Sequence, residues 1–333
     1  MAISGEDNPV LVIDLGGAKI ILALVSSQGE VIAKEYIATL AEEGPEVVVQ
    51  RMFAAQSYLL DRVGRQCSSV AALTIAAAGA IDSEEGVVTD SPNLPGWYNV
   101  PLRDIGEERT GLRTLLINDA NAAAWGEHCF GAGRGVANLI YIAVGTGIGG
   151  GIIINGELYT GASGSAGEIG HMTIDVNGPR CNCGNVGCLE VLASGGAMAK
   201  EARRHIAHGA RSILTELAEG EPQNITFQLV SAAARKGDAL AAEVISRAAA
   251  YLGIGIVNLV NIFNPEMIII GGGMVQMRDM FLDPVRQAVA EKAFQSPGRI
   301  VRIIPSELED NAGILGAAAF SFSALSSEGN WRW

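Results

Sequence analysis

Cys181, Cys183 and Cys188 lie in one short run, Gly178-Pro179-Arg180-Cys181-Asn182-Cys183-Gly184-Asn185-Val186-Gly187-Cys188-Leu189-Glu190, and His171 stands ten residues before the first thiol. Three thiols and one imidazole are a complete tetrahedral ligand set for zinc, and four protein ligands leave no position open for water. The expected ion is therefore structural rather than catalytic; the alternative is a group of ordinary buried thiols without a metal. Gly184 and Gly187 permit the tight loop that would wrap an ion. Carboxylates flank the cluster on both sides: Glu168 in Glu168-Ile169-Gly170-His171, and Glu190 just after Cys188. An ion here would fix both, so the loop could hold ligand groups as well as metal.

Two glycine turns carry the next signal. Leu15-Gly16-Gly17 follows a buried apolar run ending in Asp14, and Gly145-Thr146-Gly147-Ile148-Gly149-Gly150-Gly151 follows another. Backbone N–H groups free of a neighbouring Cβ approach phosphate oxygens closely. Two such turns could clamp a polyphosphate; tight packing is the plainer explanation of each alone. Neither is a P-loop, because no Gly-x4-Gly-Lys-Ser/Thr sequence occurs. A carboxylate at the end of a buried strand needs a partner. Hydrated Mg2+, usually held by one or two carboxylates plus substrate phosphates, suits Asp14. Lys19 is placed to offset phosphate charge, or to sit solvated on a hairpin.

Further on, Leu115-Leu116-Ile117 ends in Asn118-Asp119. Asp119 has the chemistry to accept a hydroxyl proton during phosphoryl transfer, or to cap the helix that begins near Ala120. Asn93-Leu94-Pro95-Gly96-Trp97 is a rigid loop that offers an amide and an aromatic ring to a polar ligand, or is an ordinary turn. Glu168, His171 and Glu190 complete a set of directional donors and acceptors suited to a polyhydroxylated molecule.

These groups need strands that end in the right places. Residues 10–14, 20–25 and 31–37 read as strands, the last two joined by a turn at Ser27-Gln28-Gly29-Glu30. Residues 45–65 read as a helix opening at Pro45, and residues 70–78 as another buried strand. Residues 138–144 and 152–154 read as strands around the glycine turn at 145–151, with a hairpin at Asn155-Gly156-Glu157. Each half thus opens with strand, glycine turn, strand and hairpin. That predicts an internal duplication rather than the β-α-β alternation of a dinucleotide-binding fold. Helices are expected at 193–207, 239–263, 284–294 and 313–325, a strand at 267–270 before Gly271-Gly272-Gly273, and a frayed tail over 326–333.

At 333 residues the chain is too long for one typical core, which points to two domains. A composition of 49 % hydrophobic and 18 % charged residues is that of a soluble globular protein. The net charge of −13 argues against a general nucleic-acid binder, which shows a basic face. Cys67 and Cys129 stand apart from the cluster and read as buried small hydrophobes. No disulfide framework is visible, which suits a reducing cytoplasm. Neither a signal peptide at the start nor an unbroken membrane span is seen.

The motifs Glu168-x-Gly170-His171 and Cys181-x-Cys183-Gly184-x2-Gly187-Cys188-x-Glu190 resemble those of the ROK family of sugar kinases, within it the bacterial zinc-containing glucokinases. Pro92-Asn93-Leu94-Pro95-Gly96-Trp97, Asn118-Asp119-Ala120-Asn121 and the second glycine turn match as well, and the resemblance runs from residue 10 to about residue 325. It implies an α/β protein of the actin-like ATPase (ribonuclease H-like) fold, with two duplicated β-β-β-α-β-α domains and an interdomain cleft. The smaller domain would comprise residues 1–119 plus 313–333, and the larger one residues 120–312 with the zinc loop. The implied reaction is ATP-dependent phosphorylation of a hexose at its 6-hydroxyl, glucose first, with N-acetylmannosamine, mannose or fructose as alternative acceptors.

The resemblance also implies roles. Asp119 would be the general base and touch the sugar; Gly79, Asn93, Asn118, Glu168, His171 and Glu190 would line the sugar site. His171 would use one ring nitrogen for sugar and the other for zinc. Asp14, Gly16, Gly17 and Lys19 would line one phosphate turn, Gly145, Thr146 and Gly147 the other, and Gly271 and Gly272 would lie beside the adenosine. ATP, Mg2+ and a structural Zn2+ are the implied cofactors, and a homodimer or homotetramer the implied assembly. Two positions depart from the family pattern: Ala18 stands where a threonine is usual, and Ala78 where a proline is common. By that resemblance, the missing hydroxyl at Ala18 would remove one phosphate hydrogen bond, worth about 1 kcal/mol. A sugar-responsive repressor of the family would need a DNA-binding segment before the first strand, for which a strand at Val10 leaves no room. A non-catalytic sensor is disfavoured by Asp119 and both glycine turns.

Overall fold

A computed structural model describes residues 8–91 and 93–326. Pro92, which opens the Pro-Asn-Leu-Pro-Gly-Trp motif, and the expected frayed tail beyond Ser326 lie outside the described residues. In chain order, β1 (Val10–Leu15), β2 (Lys19–Val25), β3 (Val31–Ala38) and α1 (Pro45–Arg62) precede β4 (Leu73–Ala77). Then come β5 (Ala80–Asp82), β6 (Val87–Asp90), β7 (Tyr98–Val100), α2 (Leu102–Thr110), β8 (Thr114–Asn118) and α3 (Asp119–Cys129). The middle of the chain forms β9 (Leu139–Val144), β10 (Ile148–Ile154), β11 (Glu157–Leu158), α4 (Leu189–Ala193), α5 (Gly195–Ala207), α6 (Leu214–Leu217), α7 (Phe227–Arg235) and α8 (Ala239–Phe263). The last elements are β12 (Met267–Gly271), α9 (Arg278–Lys292), α10 (Gln295–Ile300), β13 (Arg302–Pro305) and α11 (Ala312–Ser326).

The chain divides into two compact units. The first takes the described residues within Met1–Ala137, Gly151–Gly167 and Glu307–Trp333; the second takes Asn138–Gly150 and Glu168–Ser306. The expected limit after residue 119 falls in the first turn of α3, and α3 groups with the first unit because it packs along α11.

The first sheet has the order β3-β2-β1-β4-β8, with β1, β2 and β3 antiparallel and β1, β4 and β8 parallel. Successive side chains on a strand point to opposite faces. Leu11, Ile13, Leu15, Leu22 and Leu24 accordingly join a core with Val48, Met52 and Leu59 of α1. Val10, Val12, Ile21 and Ala23 join another with Ala122 of α3 and Ile314, Ala317 and Ala318 of α11. Burial on both faces is why these strands read as unbroken apolar runs. A small antiparallel sheet, β5-β6-β7, is not visible in the sequence, because its strands are only three or four residues long.

The other five-stranded sheet repeats the pattern, with order β11-β10-β9-β12-β13 and β9, β12 and β13 parallel. The expected duplication is thus present as topology. The second glycine turn is shorter than expected, since β10 starts at Ile148. The expected helix at 193–207 is broken at Ser194, whose hydroxyl caps α5 by accepting the Ala197 N–H at 3.0 Å. The helix expected from Pro284 starts earlier, at Arg278, with the proline inside. Burial of Phe281, Leu282, Val285 and Val289 offsets the lost hydrogen bond. Helix α8 has the length and composition of a membrane span, yet most of it is buried as a core helix. Asp238 caps its start and Asn264, left-handed at φ 47°, its end.

Helices α3 and α11 meet at backbone distance. A Cβ at Gly316 would lie 1.6 Å from the Ala122 carbonyl oxygen, and one at Gly126 would lie 2.2 Å from that of Ala312. A methyl at Gly316 must force the helices apart, which costs about 1–3 kcal/mol or more. Gly316→Ala is expected to lower unfolding stability by that amount, read as a fall in the urea midpoint; an unchanged midpoint would show that the helices are not in backbone contact.

Candidate active site and metal-binding cluster

In the first unit, parallel pairing levels the ends of three strands: Leu15 pairs with Ala77, and Ala77 with Asn118. Ligands of open α/β sheets gather outside such carboxyl ends. Asp14, Gly79 and Asn118-Asp119 therefore share one edge. Asn118, not Asp119, is the helix cap: its Oδ1 accepts the N–H groups of Ala120 and Asn121, both at 3.0 Å. Its Nδ2 donates to the Gly79 carbonyl at 3.1 Å, tying the two strand ends together. Gly79 holds φ 112°, with no room for a side chain beside Asp90 and Ser91. The Asp119 carboxylate accepts the adjacent Ala120 N–H at 2.8 Å and meets its own backbone N–H.

The electrostatics of this edge are unusual. Loss of surrounding water, then the Asp119 charge, push the Asp14 carboxyl up to about 7, against the pull of Lys19 and Lys34. Burial likewise raises Asp119 above the ordinary carboxylate range, opposed by the Ala120 N–H. Lys19 is exposed and pairs with Asp310 at 3.3 Å. Lys34 reaches Asn311 Oδ1 at 2.6 Å. Sequence reasoning missed Lys34, Asp310 and Asn311, because only the fold brings β3 and the start of α11 to the turn after β1. A Cβ at Gly313 would lie 3.0 Å from Asp14 Oδ2, so α11 begins against that carboxylate.

The first glycine turn is held by Gly16 N donating to the Lys19 carbonyl at 3.1 Å and by Thr39 Oγ1 donating to the Gly16 carbonyl at 2.7 Å. A Cβ at Gly17 would lie 2.7 Å from the Asn93 carbonyl oxygen, so the Asn93 loop rests on this turn. Asn93 itself is exposed. Trp97 is fully buried in the core, so its ring is packing, not a ligand surface.

In the second unit, Gly145, Thr146 and Gly147 join β9 to β10, closed by Gly145 N donating to the Gly147 carbonyl at 2.9 Å. Glu190 Oε2 accepts the Ile148 N–H at 2.9 Å. A Cβ at Gly147 would stand 2.3 Å from that same oxygen, so a side chain there would have to push the carboxylate aside. Gly195 and Gly196, at the start of α5, donate to the carbonyls of Gly145 and Thr146 at 2.8 and 3.2 Å. Gly271 and Gly272 end β12 beside β9: a Cβ there would meet Tyr141 Oη at 2.0 Å and the Val144 carbonyl at 2.4 Å.

The metal-ligating atoms of His171, Cys181, Cys183 and Cys188 all lie within 4.8 Å of one another. Cys183 Sγ and Cys188 Sγ are 3.7 Å apart, as are Cys181 Sγ and His171 Nδ1. A tetrahedral ion with metal–sulfur bonds of about 2.3 Å has sulfur–sulfur edges of about 3.8 Å. Both separations are close to such an edge, so the cluster has the residues and the spacing to hold a tetrahedral ion. Burial raises the Cys188 thiol to about 12, a cost a bound cation would remove. The loop is preshaped by its backbone, with Cys181 N donating to the Asn185 carbonyl at 2.8 Å and Gly187 N to that of Pro179 at 2.8 Å. His171 Nε2 faces the other way and lies 3.9 Å from Glu168 Oε2. Asp14, Gly79, Asn118 and Asp119 thus gather at strand ends of the first unit, Asn93 lies in the loop after β6, and Glu168 and Glu190 flank the cluster of the second unit.

Comparison with known proteins identifies the family. The ROK family model matches residues 10–323. A glucokinase of Thermotoga maritima is 39 % identical over 92 % of this chain and 95 % of its own length. A putative xylose repressor of a Caldicellulosiruptor species is 38 % identical over 95 % of this chain and 78 % of its own. Among solved structures, a ROK family glucokinase from Streptomyces griseus in complex with glucose and AMPPNP superposes with a TM-score of 0.85 at 34 % identity, covering 95 % of this chain and 99 % of that one. The fold is that of the actin-like ATPases, and the chain belongs to the ROK family of sugar kinases and sugar-responsive repressors.

Proposed function

We propose that the protein is an ATP-dependent hexose kinase that phosphorylates the 6-hydroxyl of glucose. The observation that carries this reading is Asp119: Asn118 takes over the capping of α3, and burial raises the Asp119 carboxyl above its ordinary value, which makes it a better proton acceptor. Glucokinase relatives, one solved with glucose and AMPPNP, support it.

In this mechanism the sugar O6 attacks the γ-phosphorus. The O6–P bond forms, the bond to the ADP leaving oxygen breaks, and the O6 proton passes to Asp119. Gly79, Asn93, Asn118, Glu168, His171 and Glu190 hold and orient the sugar hydroxyls. Asn118 has little to spare, since its Oδ1 and one side-chain N–H already serve the fold. Asp14, Gly16, Gly17 and Lys19 take one side of the phosphates, Gly145, Thr146 and Gly147 the other, and Gly271 and Gly272 the adenosine. Asp14 would hold Mg2+, which supplies charge neutralisation at the phosphates. His171, Cys181, Cys183 and Cys188 would hold a structural Zn2+ that fixes the His171 ring through Nδ1 and leaves Nε2 for a hydroxyl.

N-acetylmannosamine, mannose and fructose are alternative acceptors. The repressor relative favours a second reading, a sugar-sensing regulator in which the same residues bind without turnover. The two separate on catalysis. Asp119→Asn is expected to lower kcat for glucose by at least about 100-fold with glucose affinity retained; near-normal turnover would remove Asp119 from the chemistry.

Asp14 generates a pH prediction. Its folded pKa of about 7 lies above the ordinary 3.8, so the folded state loses stability as pH rises between those values and the loss is complete above about 7. Ligand-free Asp14→Asn should therefore be more stable than wild type at pH 8, by up to roughly 4 kcal/mol, with the gap closing towards pH 4. A gap independent of pH in urea unfolding would mean that Asp14 is not the strained group.

A further inference from the structure

Gly145, Thr146 and Gly147 of the second glycine turn, and Ile148 at the start of β10, are each held by a segment that adjoins or closely follows a metal ligand. Glu190, two residues after Cys188, accepts the Ile148 N–H at 2.9 Å. Gly170, one residue before His171, abuts the Ile148 carbonyl so closely that a Cβ would lie 2.0 Å from its oxygen. The Glu190 carboxylate also fills the space where a Gly147 side chain would be, 2.3 Å from that Cβ position. Beyond Glu190, Ser194 ends α4, and Gly195 and Gly196 donate to the carbonyls of Gly145 and Thr146. Between Cys188 and this grip lies a single short helix of five residues, α4, with Leu189 and Ala193 fully buried.

We infer that Glu190 is a positioning residue for the phosphate turn, and that the His171–Cys188 cluster, through Glu190 and Gly170, sets the shape of residues 145–148 before any sugar arrives. This rests on the proposed role of that turn in nucleotide binding. The physical reason is reach. A carboxylate hydrogen bond to one backbone N–H fixes the peptide plane between Gly147 and Ile148, and hence the direction of the N–H groups before it. An ion that fixes Cys188 and His171 fixes both anchors of Ile148 at once, one on its N–H and one on its carbonyl. Metal occupancy is thereby coupled to the nucleotide as well as to the sugar.

The test separates this role from sugar binding by titrating MgADP into the sugar-free protein and measuring hydrogen exchange over residues 145–148. Glu190→Ala, and separately removal of the metal from wild type with a chelator, are each expected to weaken MgADP binding about tenfold, the size of one charge-assisted hydrogen bond, and to speed exchange of the turn. Glu190→Gln keeps an oxygen that accepts from Ile148, so it should retain MgADP affinity within about twofold while losing sugar affinity. Should Glu190→Ala fail to fold, the chelated wild type and the Gln variant carry the test. Unchanged MgADP affinity and exchange in the Ala variant or the metal-free protein would overturn the inference, as would a Gln variant as weak as Ala. A wild-type protein that binds no MgADP sinks the nucleotide reading and the inference with it; MgADP binding that responds as expected, without turnover of any hexose, sinks only the kinase reading.

Discussion

Four soft donor atoms drawn to within 4.8 Å of one another are the constraint on which the second unit's site depends. Three thiols this close repel as they ionise, and burial opposes the ionisation of Cys188 further. A bound cation would favour the ionised thiols, and structural zinc contributes about 10–16 kcal/mol in small peptides. Such energy would order a loop with few apolar contacts of its own: Cys183 is exposed, and Val176 is 78 % exposed. What the loop gains in order it passes on, because His171, Glu190 and the start of α5 are all built from its ends.

The first unit solves a different problem. Its strand ends hold two carboxylates that disfavour each other's charge, and the fold carries that cost in the ligand-free state. Such strain is tolerable because two helices, α3 and α11, lock the sheet from behind through backbone contacts that need glycine at 126 and 316. A bound cation at Asp14 would relieve the repulsion and leave Asp119 as the remaining base. Stability and readiness for ligand therefore oppose each other at the same residues.

Much of this is legible in the sequence, and for local reasons. The metal set and both glycine turns are short-range patterns, and the strands 10–15, 19–25 and 139–144 are apolar enough to announce burial on both faces. Helix α8 is legible to the residue because Asp238 and Asn264 cap it. What the sequence hides is long-range. The Glu190–Ile148 hydrogen bond spans 42 positions and that of Lys34 with Asn311 spans 277, so no spacing rule could find them. The sequence offers Asp119 as a possible cap, whereas the cap is its neighbour Asn118; both residue types cap helices well, so local chemistry could not choose.

The central claim is that this site transfers a phosphoryl group to a sugar rather than merely sensing one. The direct measurement is ADP release by the zinc-loaded protein with MgATP and, in turn, glucose, mannose, fructose, N-acetylglucosamine and N-acetylmannosamine. One strongly preferred hexose, glucose first, with one ADP formed per sugar phosphate, is the result expected. Sugar binding with no ADP above the sugar-free background on any of the five would contradict it.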